Sequence, residues 1–450
     1  MSENLASEVT VADRAAGTPA FMRAGRRWRN WGRSEVSRPA FVARATSIED
    51  VVAIVRFARD RNLTIKTIGA GHSFSAIAAI SGVQLDVSGV DGVHSVDGNL
   101  VTFGAGTNLH QLPDLLRPHG LAMENLGDID RQTLAGATST GTHGTGLTFG
   151  GLATRIRGAK VVTAAGELHT VAGDELGAFA VGLGALGILV ELTIECVPEF
   201  VLHAVECLLP FDTVLDEWMP RIEAADHFEF YVWPHTDTLL TKTNTRLPGD
   251  SPRKPVGAVG DWLDDRMSNQ LYETMLKLGR TRPKAIPAIN RLSVKVTGDR
   301  EFSDWSQEVF TSRRTVRFRE MEYALPVEAV PDALRDLRKL IADRQWTISF
   351  PIEVRATAVD DLWLSTASGR ASGYIAVHRY VKDDPTIYFR EVEALMVSYG
   401  GRPHWGKMHT RDAEYLRGQY PRFDDFVAVR DRMDPDRVFA NPYLDRVLGR

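Results

Sequence analysis

Thr64–Ile68 is a short apolar run that stops abruptly at Gly69-Ala70-Gly71-His72-Ser73-Phe74-Ser75. Paired glycines directly after a strand let successive backbone N–H groups turn into one concavity, a shape that suits a pyrophosphate. A plain tight turn is an equal reading of these seven residues alone. The histidine favours a ligand, because an imidazole adds nothing to a turn. A second cluster, Gly136-Ala-Thr138-Ser-Thr-Gly141-Thr142-His143-Gly144-Thr-Gly146, supplies hydroxyls with little bulk. It reads either as a polar surface loop or as a loop pressed against a large planar or phosphorylated ligand. Two such segments in one domain favour a bound nucleotide cofactor.

Gly182-Leu-Gly184-Ala-Leu-Gly187 spells the dinucleotide pattern in the wrong setting. That fingerprint must follow a strand and open a helix. Here Asp174–Val181 reads as a helix before it and Ile188–Val197 as a buried strand after it, so close turn packing is expected and NAD binding is not. The chain contains no Gly-x-Ser-x-Gly elbow and no Gly-x-x-x-x-Gly-Lys-Ser/Thr loop. Both absences speak against serine hydrolase and nucleoside triphosphatase chemistry.

At 450 residues the chain is expected to form two domains, or one large domain with insertions, since domains run to roughly 100–200 residues. Hydrophobic residues at 44% and charged residues at 25% exclude disorder as the main state. A net charge of −5 argues against nucleic acid as the main partner. Cys196 and Cys207 support neither a disulfide framework nor a four-ligand zinc site. No apolar run nears the ~18 residues of a spanning helix. The first residues lack the pattern of a signal peptide, and no apolar run follows Arg26-Arg27. A cytoplasmic location is expected.

Ser47-Ile-Glu-Asp50 predicts a helix N-terminus, with Val51, Val52, Ile54, Val55 and Ala58 following at helical spacing. Strands are expected at Val83–Val87 and Val101–Phe103, a helix over Leu109–His119, and a hairpin joining Ala159–Thr163 to Glu167–Thr170. Beyond Pro198 two strand–helix–strand units follow, Val201–Tyr231 and Thr315–Val354. A Pro/Gly/Arg-rich segment, Arg246–Asn290, lies between them, with an amphipathic helix around Trp262–Leu278. Two further helices flank a break at Gly400–Pro403. The class is α+β.

Glu353 and Arg355 lie two apart at the end of an apolar run, so on a strand they project to one side. A surface ion pair is the commoner explanation of such a pattern. The apolar Trp346–Ile352 before it points instead to a covered sheet. Arg402-Pro-His404-Trp-Gly-Lys407 joins a stiff turn to two potential cations. His404 and His409 have no Cys or carboxylate at ligand spacing, so no metal site is expected.

With these residues assembled, the chain resembles the sugar-1,4-lactone and alditol oxidases of the vanillyl-alcohol-oxidase flavoprotein superfamily. The resemblance rests on an ordered set: Trp28-Arg-Asn-Trp31, Gly69–Phe74, Gly136–Gly146, Gly182–Gly187, Glu353-Val-Arg355, His404–Lys407 and Asp434-Pro-Asp-Arg-Val-Phe-Ala-Asn441. It implies a lead-in over residues 1–35 and a PCMH-type FAD-binding domain over 36–200. It also implies an α+β cap or substrate domain over 201–430, and a C-terminal segment, 431–450, returning to the FAD domain.

The cofactor-binding set it implies is Gly69, Ala70, Gly71, His72, Ser73, Phe74, Gly127, Thr138, Gly141, Thr142, His143, Gly144, Gly146, Gly187, Ile188 and His404. His72 would carry a covalent bond to the flavin. No cysteine lies between Gly127 and Gly146, so a single histidyl link is expected. Glu353, Arg355 and Lys407 would be catalytic and would touch substrate, and Thr133 would take the place of a substrate-contacting serine. The family's later-strand threonine has no equivalent near His378–Tyr380, which favours a cyclic lactone over a linear alditol.

The implied activity is FAD-dependent oxidation of a primary or secondary alcohol of a lactone such as arabinono- or gulono-1,4-lactone. Hydride passes to flavin N5, and oxygen becomes hydrogen peroxide. Fixed cations beside the reacting oxygen would stabilise developing negative charge. The proton acceptor is Lys407 with a lowered pKa, Glu353 or water. The alternatives are an alditol oxidase, a same-fold dehydrogenase using another acceptor, an NADPH-fed reductase and a non-catalytic flavin-binding scaffold. The lack of a second nucleotide motif weighs against the reductase, and the Glu353/Arg355/Lys407 set against the scaffold.

Overall fold

The computed structural model describes residues 21–256, 269–312 and 316–450. The expected N-terminal tail, and the first part of the helix expected around Trp262, lie outside them.

Ser47 caps the first helix, Ile48–Asp60, by accepting the Asp50 amide at 3.1 Å. Asp50 turns its carboxylate to Thr46 rather than back to Ser47, so the capping box is half made. Val51, Ile54, Val55 and Ala58 on its inner face are fully buried. They pack on a four-stranded sheet ordered Met22–Ala24, Phe41–Arg44, Val83–Asp86, Ile65–Ile68, whose last two contacts are parallel. A five-stranded antiparallel sheet follows, ordered Leu168–Val171, Ile156–Val162, Ile188–Glu195, Leu100–Gly104, Val93–Asp97. The expected helix over Leu109–His119 is broken into three short pieces, because Pro113 and Pro118 each remove an amide that a continuous helix needs.

The second half is built on one eight-stranded antiparallel sheet. Its order is Arg300–Trp305, Phe200–Pro210, Thr238–Pro248, His227–Val232, Ile352–Thr357, Ser372–Tyr380, Phe318–Pro326, Arg402–Pro403. Strand alternation sorts its residues into two faces. Phe228, Phe230, Met321, Tyr323, Ile352, Val354, Ile375 and Val377 face the helices Phe211–Asp216, Trp218–Ala224, Val330–Asp343 and Thr386–Ser398. Burying each of Leu334, Leu337 and Ile341 from the third of these helices contributes about 1.5–3 kcal/mol. The intervening residues, among them Glu229, Glu320, Glu322, Glu353 and Arg355, are left on the opposite face.

The C-terminal segment packs against the first sheet. Asp434 accepts the amides of Val438 and Phe439 at 2.7 and 2.8 Å, and the Ile65 amide donates to the Val438 carbonyl at 2.8 Å. Asn441 caps the last helix, Pro442–Leu448, with its oxygen. Its amide nitrogen reaches the carbonyls of Ala76, Ile77 and Ala79 at 3.0–3.1 Å. Asn441→Ala should cost about 2–4 kcal/mol, combining a lost cap with buried carbonyls left without a donor. A lowered thermal-unfolding midpoint is the expected readout, and an unchanged one would show that the contacts are dispensable.

Candidate active site

The Gly69–Ser75 segment leaves the strand Ile65–Ile68 at the junction of two cavities. Gly71 has φ +71°, a backbone conformation that other residues adopt only with strain. The loop is pinned from both sides. The Trp31 amide donates to the Gly71 carbonyl at 2.8 Å and the Asn30 side chain to the Ser73 carbonyl at 2.9 Å. The Phe74 amide donates to the Gly406 carbonyl at 2.6 Å, and the Ser75 hydroxyl to that of Trp405 at 2.8 Å. The His72 ring stacks on Trp31 with centroids 5.3 Å apart. Burial, chiefly, holds the imidazole neutral, with a pKa near 4, and Lys407 adds to the effect.

The first cavity, about 1020 Å³, runs between the two N-terminal sheets, and its lining is mostly glycine, alanine and aliphatic side chains. Gly69, Ala70, Gly71, His72, Ser73, Thr133, Gly136 and Gly187 lie along it. The amides of Ala70, Gly71, His72 and Ser73 have no acceptor among the described residues. Four unpaired donors in a glycine turn, beside a largely apolar slot, fit the diphosphate and flat rings of FAD.

The second cavity, about 1680 Å³, opens from the first at His72 and lies under the polar face of the eight-stranded sheet. It brings together Phe74, Gly127, Thr142, His143, Glu353, Arg355, His404 and Lys407. Lys407 Nζ sits 2.5 Å from Glu320, 3.9 Å from Glu322 and 5.5 Å from the Phe74 ring centroid. Burial lowers the lysine pKa, but the two carboxylates outweigh it and hold the ammonium above its usual value. Lys407 is therefore a fixed cation, and of the three proton acceptors left open by the sequence the lysine with a lowered pKa does not hold. Burial would likewise raise Glu320, yet Lys407 and His378 bring it down to about 2. Arg355 is clamped between Glu229 at 2.7 Å and Glu353 at 2.5 Å.

Several expected residues sit elsewhere. Thr133 lies in the slot rather than in the polar chamber. Its hydroxyl caps the helix Leu134–Ser139, so the start of the segment read as a Gly/Thr loop, Gly136–Ser139, is helical. Thr138 is fully buried and turns its hydroxyl to the Leu134 carbonyl. Gly141, Gly144, Gly146 and Ile188 line neither cavity. A Cβ on Gly144 would lie 2.4 Å from the Leu126 carbonyl oxygen, so this glycine serves backbone packing.

Glu229, Tyr231, Glu320 and Glu322 were missed. Their signal was present, since Glu229 and Tyr231 in Phe228–Val232, and Glu320 and Glu322 in Phe318–Leu325, are polar groups at alternate positions of apolar strands, the pattern that singled out Glu353. His143, Glu322 and His404 bring ligand atoms within 4.8 Å of one another, a cluster that spacing along the chain does not reveal. Within this cluster Glu322 meets His143 Nε2 at 3.2 Å and Lys407 Nζ at 3.9 Å, and His404 Nδ1 accepts the Gly406 amide at 3.0 Å.

Residues 39–172 match an FAD-binding domain family, and residues 192–447 match the D-arabinono-1,4-lactone oxidase family. The chain is 41% identical to L-gulono-1,4-lactone dehydrogenase of Mycobacterium tuberculosis, over 94% of this chain and 99% of that one. It is 32% identical to L-gulonolactone oxidase of Bos taurus, over 94% and 98%. The crystal structure of cholesterol oxidase from Brevibacterium sterolicum superposes with a TM-score of 0.82 over 96% of this chain and 98% of that one, at 18% identity. That likeness shows the vanillyl-alcohol-oxidase fold. With the slot, the chamber and these matches together, the chain belongs to the D-arabinono-1,4-lactone oxidase family of FAD-dependent oxidoreductases.

Proposed function

We propose that this protein oxidises a hydroxyl of a sugar-1,4-lactone in the chamber under the eight-stranded sheet, with FAD in the adjoining slot and covalently attached at His72. The observation that carries this reading is the pair of buried cations, Arg355 and Lys407, lining the chamber that adjoins the slot at His72. Bound FAD supplies the two-electron acceptor. The amides of Ala70–Ser73 would hold its diphosphate, and Gly136 and Gly187 would leave room for it.

The chain's own part is electrostatic. As the substrate hydroxyl loses its proton, charge grows on that oxygen, and an ammonium and a guanidinium already fixed by carboxylates need no reorganisation to meet it. Four carboxylates alongside them suit a neutral polyhydroxylated ring, whose hydroxyls donate to acceptors, and repel an acid. A lactone meets that requirement, whereas the open-chain sugar acid does not.

The electron acceptor divides the relatives by name. The 41%-identical relative is a dehydrogenase and the bovine one an oxidase. The greater identity favours an acceptor other than oxygen, against the oxidase expected from the sequence. Anaerobic mixing with aldonolactones, alditols and aldoses is expected to bleach the flavin with a lactone fastest. A panel in which no lactone bleaches it would overturn the substrate class. Turnover with an artificial acceptor should exceed turnover with air. Equal rates, with hydrogen peroxide accumulating, would restore the oxidase reading.

A further inference from the structure

Arg355 stands between two carboxylates, and the strand register explains why. Tyr231 pairs with Glu353 and Phe230 with Val354, so Glu229 falls across from Arg355 on the chamber face. The arginine Nε donates to Glu229 Oε2 at 2.7 Å, and a terminal nitrogen meets Glu353 Oε1 at 2.5 Å. The three side chains are only 9–13% exposed. One guanidinium neutralises one carboxylate, so the two acids compete for it. Glu229 has further support: the Tyr231 hydroxyl donates to it at 3.4 Å, and Lys242 Nζ stands 4.0 Å away. Lys407 is occupied by Glu320 and Glu322. Glu353 thus has to share Arg355 with Glu229, whereas Glu229 has Lys242 and the Tyr231 hydroxyl besides.

We propose that Glu229 is a positioning residue: it takes the Arg355 guanidinium as its own partner and thereby leaves Glu353 to accept the proton of the substrate hydroxyl. This rests on the alcohol-oxidising reading above. The substrate O–H bond breaks and its electron pair becomes the second C–O bond of the carbonyl, the proton forms an O–H bond on Glu353, and the hydrogen of the neighbouring C–H departs with its electron pair to the two-electron acceptor that FAD would supply.

The ionisation of the two acids agrees with this division of roles. Burial raises Glu353 above the usual carboxyl value, and Arg355 does not cancel it, because Asp128 and Glu229 push the same way. Burial works on Glu229 too, but there Arg355 and Lys242 prevail and hold it low. The groups facing Glu353 are Arg355 on its own strand, Glu229 and Tyr231 on one neighbouring strand, His378 on the other, Asp128, and Lys407 from the turn after Trp405.

The test is the pH dependence of flavin reduction by the best lactone in the holoenzyme. The reaction needs Glu353 ionised, so the rate rises with pH through its pKa. In Glu229→Gln the arginine has Glu353 as its remaining carboxylate contact, the Glu353 pKa falls, and the acidic limb moves down by about one unit or more. A loss of packing alone would lower the rate and leave the limb in place. Glu229→Asp, which keeps the charge but draws it back from the arginine, should move the limb the same way by less, and it decides the matter if Glu229→Gln does not fold. A limb that stays put in a folded Glu229→Gln, or in Glu229→Asp where Glu229→Gln is lost, overturns the proposal. Glu353→Gln separates the two levels of argument. It should abolish the limb, and a limb that survives there removes Glu353 as the proton acceptor and the proposal with it. Bleaching by lactone in the parent protein shows independently whether the underlying reading stands.

Discussion

Lys407→Met is expected to keep its flavin and a near-native absorption spectrum while its rate of flavin reduction falls by about a hundredfold or more. The lysine sits in the turn that also pins the flavin-side loop, yet that pinning uses the backbone carbonyls of Trp405 and Gly406, which the substitution leaves intact. What is lost is the ammonium itself. Because Glu320 and Glu322 hold it charged well above neutral pH, no part of the activity profile near neutrality should arise from its titration. Its removal also leaves two buried carboxylates without their cation. One of them is then expected to take up a proton, so the chamber loses the positive charge that faces the reacting oxygen. A surface lysine would cost almost nothing when replaced. Stopped-flow reduction under anaerobic conditions decides between these outcomes, and a rate within about threefold of the parent would remove Lys407 from the reaction.

The features legible in the sequence were those whose cause is local. Ser47 three residues before Asp50, glycines directly after a strand, and Glu353 two residues before Arg355 each carry their geometry within a few positions. The polarity of the glycine string Gly182–Gly187 was equally local: a short helix, Leu176–Phe179, precedes it and the strand Ile188–Glu195 follows, as its flanks predicted. What escaped depends on partners far along the chain. Glu229 meets Arg355 only because Phe230 pairs with Val354, and Glu320 meets Lys407 only because the turn after Arg402 folds back on the strand Phe318–Pro326. The helix Leu134–Ser139 escaped for another reason. Gly136, Ser139 and Thr138 are poor helix formers, and tertiary packing overrides that preference. Gly136 is needed there because a Cβ would lie 2.9 Å from the capping hydroxyl of Thr133.

The second large effect is expected at His72. An imidazole placed for structure usually satisfies both nitrogens, whereas neither nitrogen of His72 has a hydrogen-bond partner among the described residues, and the ring borders both cavities. Stacking on Trp31 and the left-handed turn at Gly71 set its direction. Burial first, and Lys407, Arg131 and Arg317 after it, disfavour the imidazolium so far that Asp130 cannot restore it, and the pKa falls to about 4. A ring neutral across the whole range from pH 6 upwards keeps a nitrogen lone pair free to bond to carbon, whereas an ordinary histidine would be half protonated near pH 6.5. The free thiols do not compete for this role: Cys196 is buried, which pushes its pKa up to about 12, and Cys207 lies on the strand Phe200–Pro210, outside both cavities. Acid-precipitated parent protein should therefore form a yellow pellet, and His72→Ala a colourless one with all its flavin in the supernatant. Attachment to newly made protein should proceed equally well at pH 8 and pH 6. A parent protein that surrenders its flavin on denaturation would show that His72 contacts the cofactor without bonding to it, and would leave the slot and the chamber as the whole of the binding site.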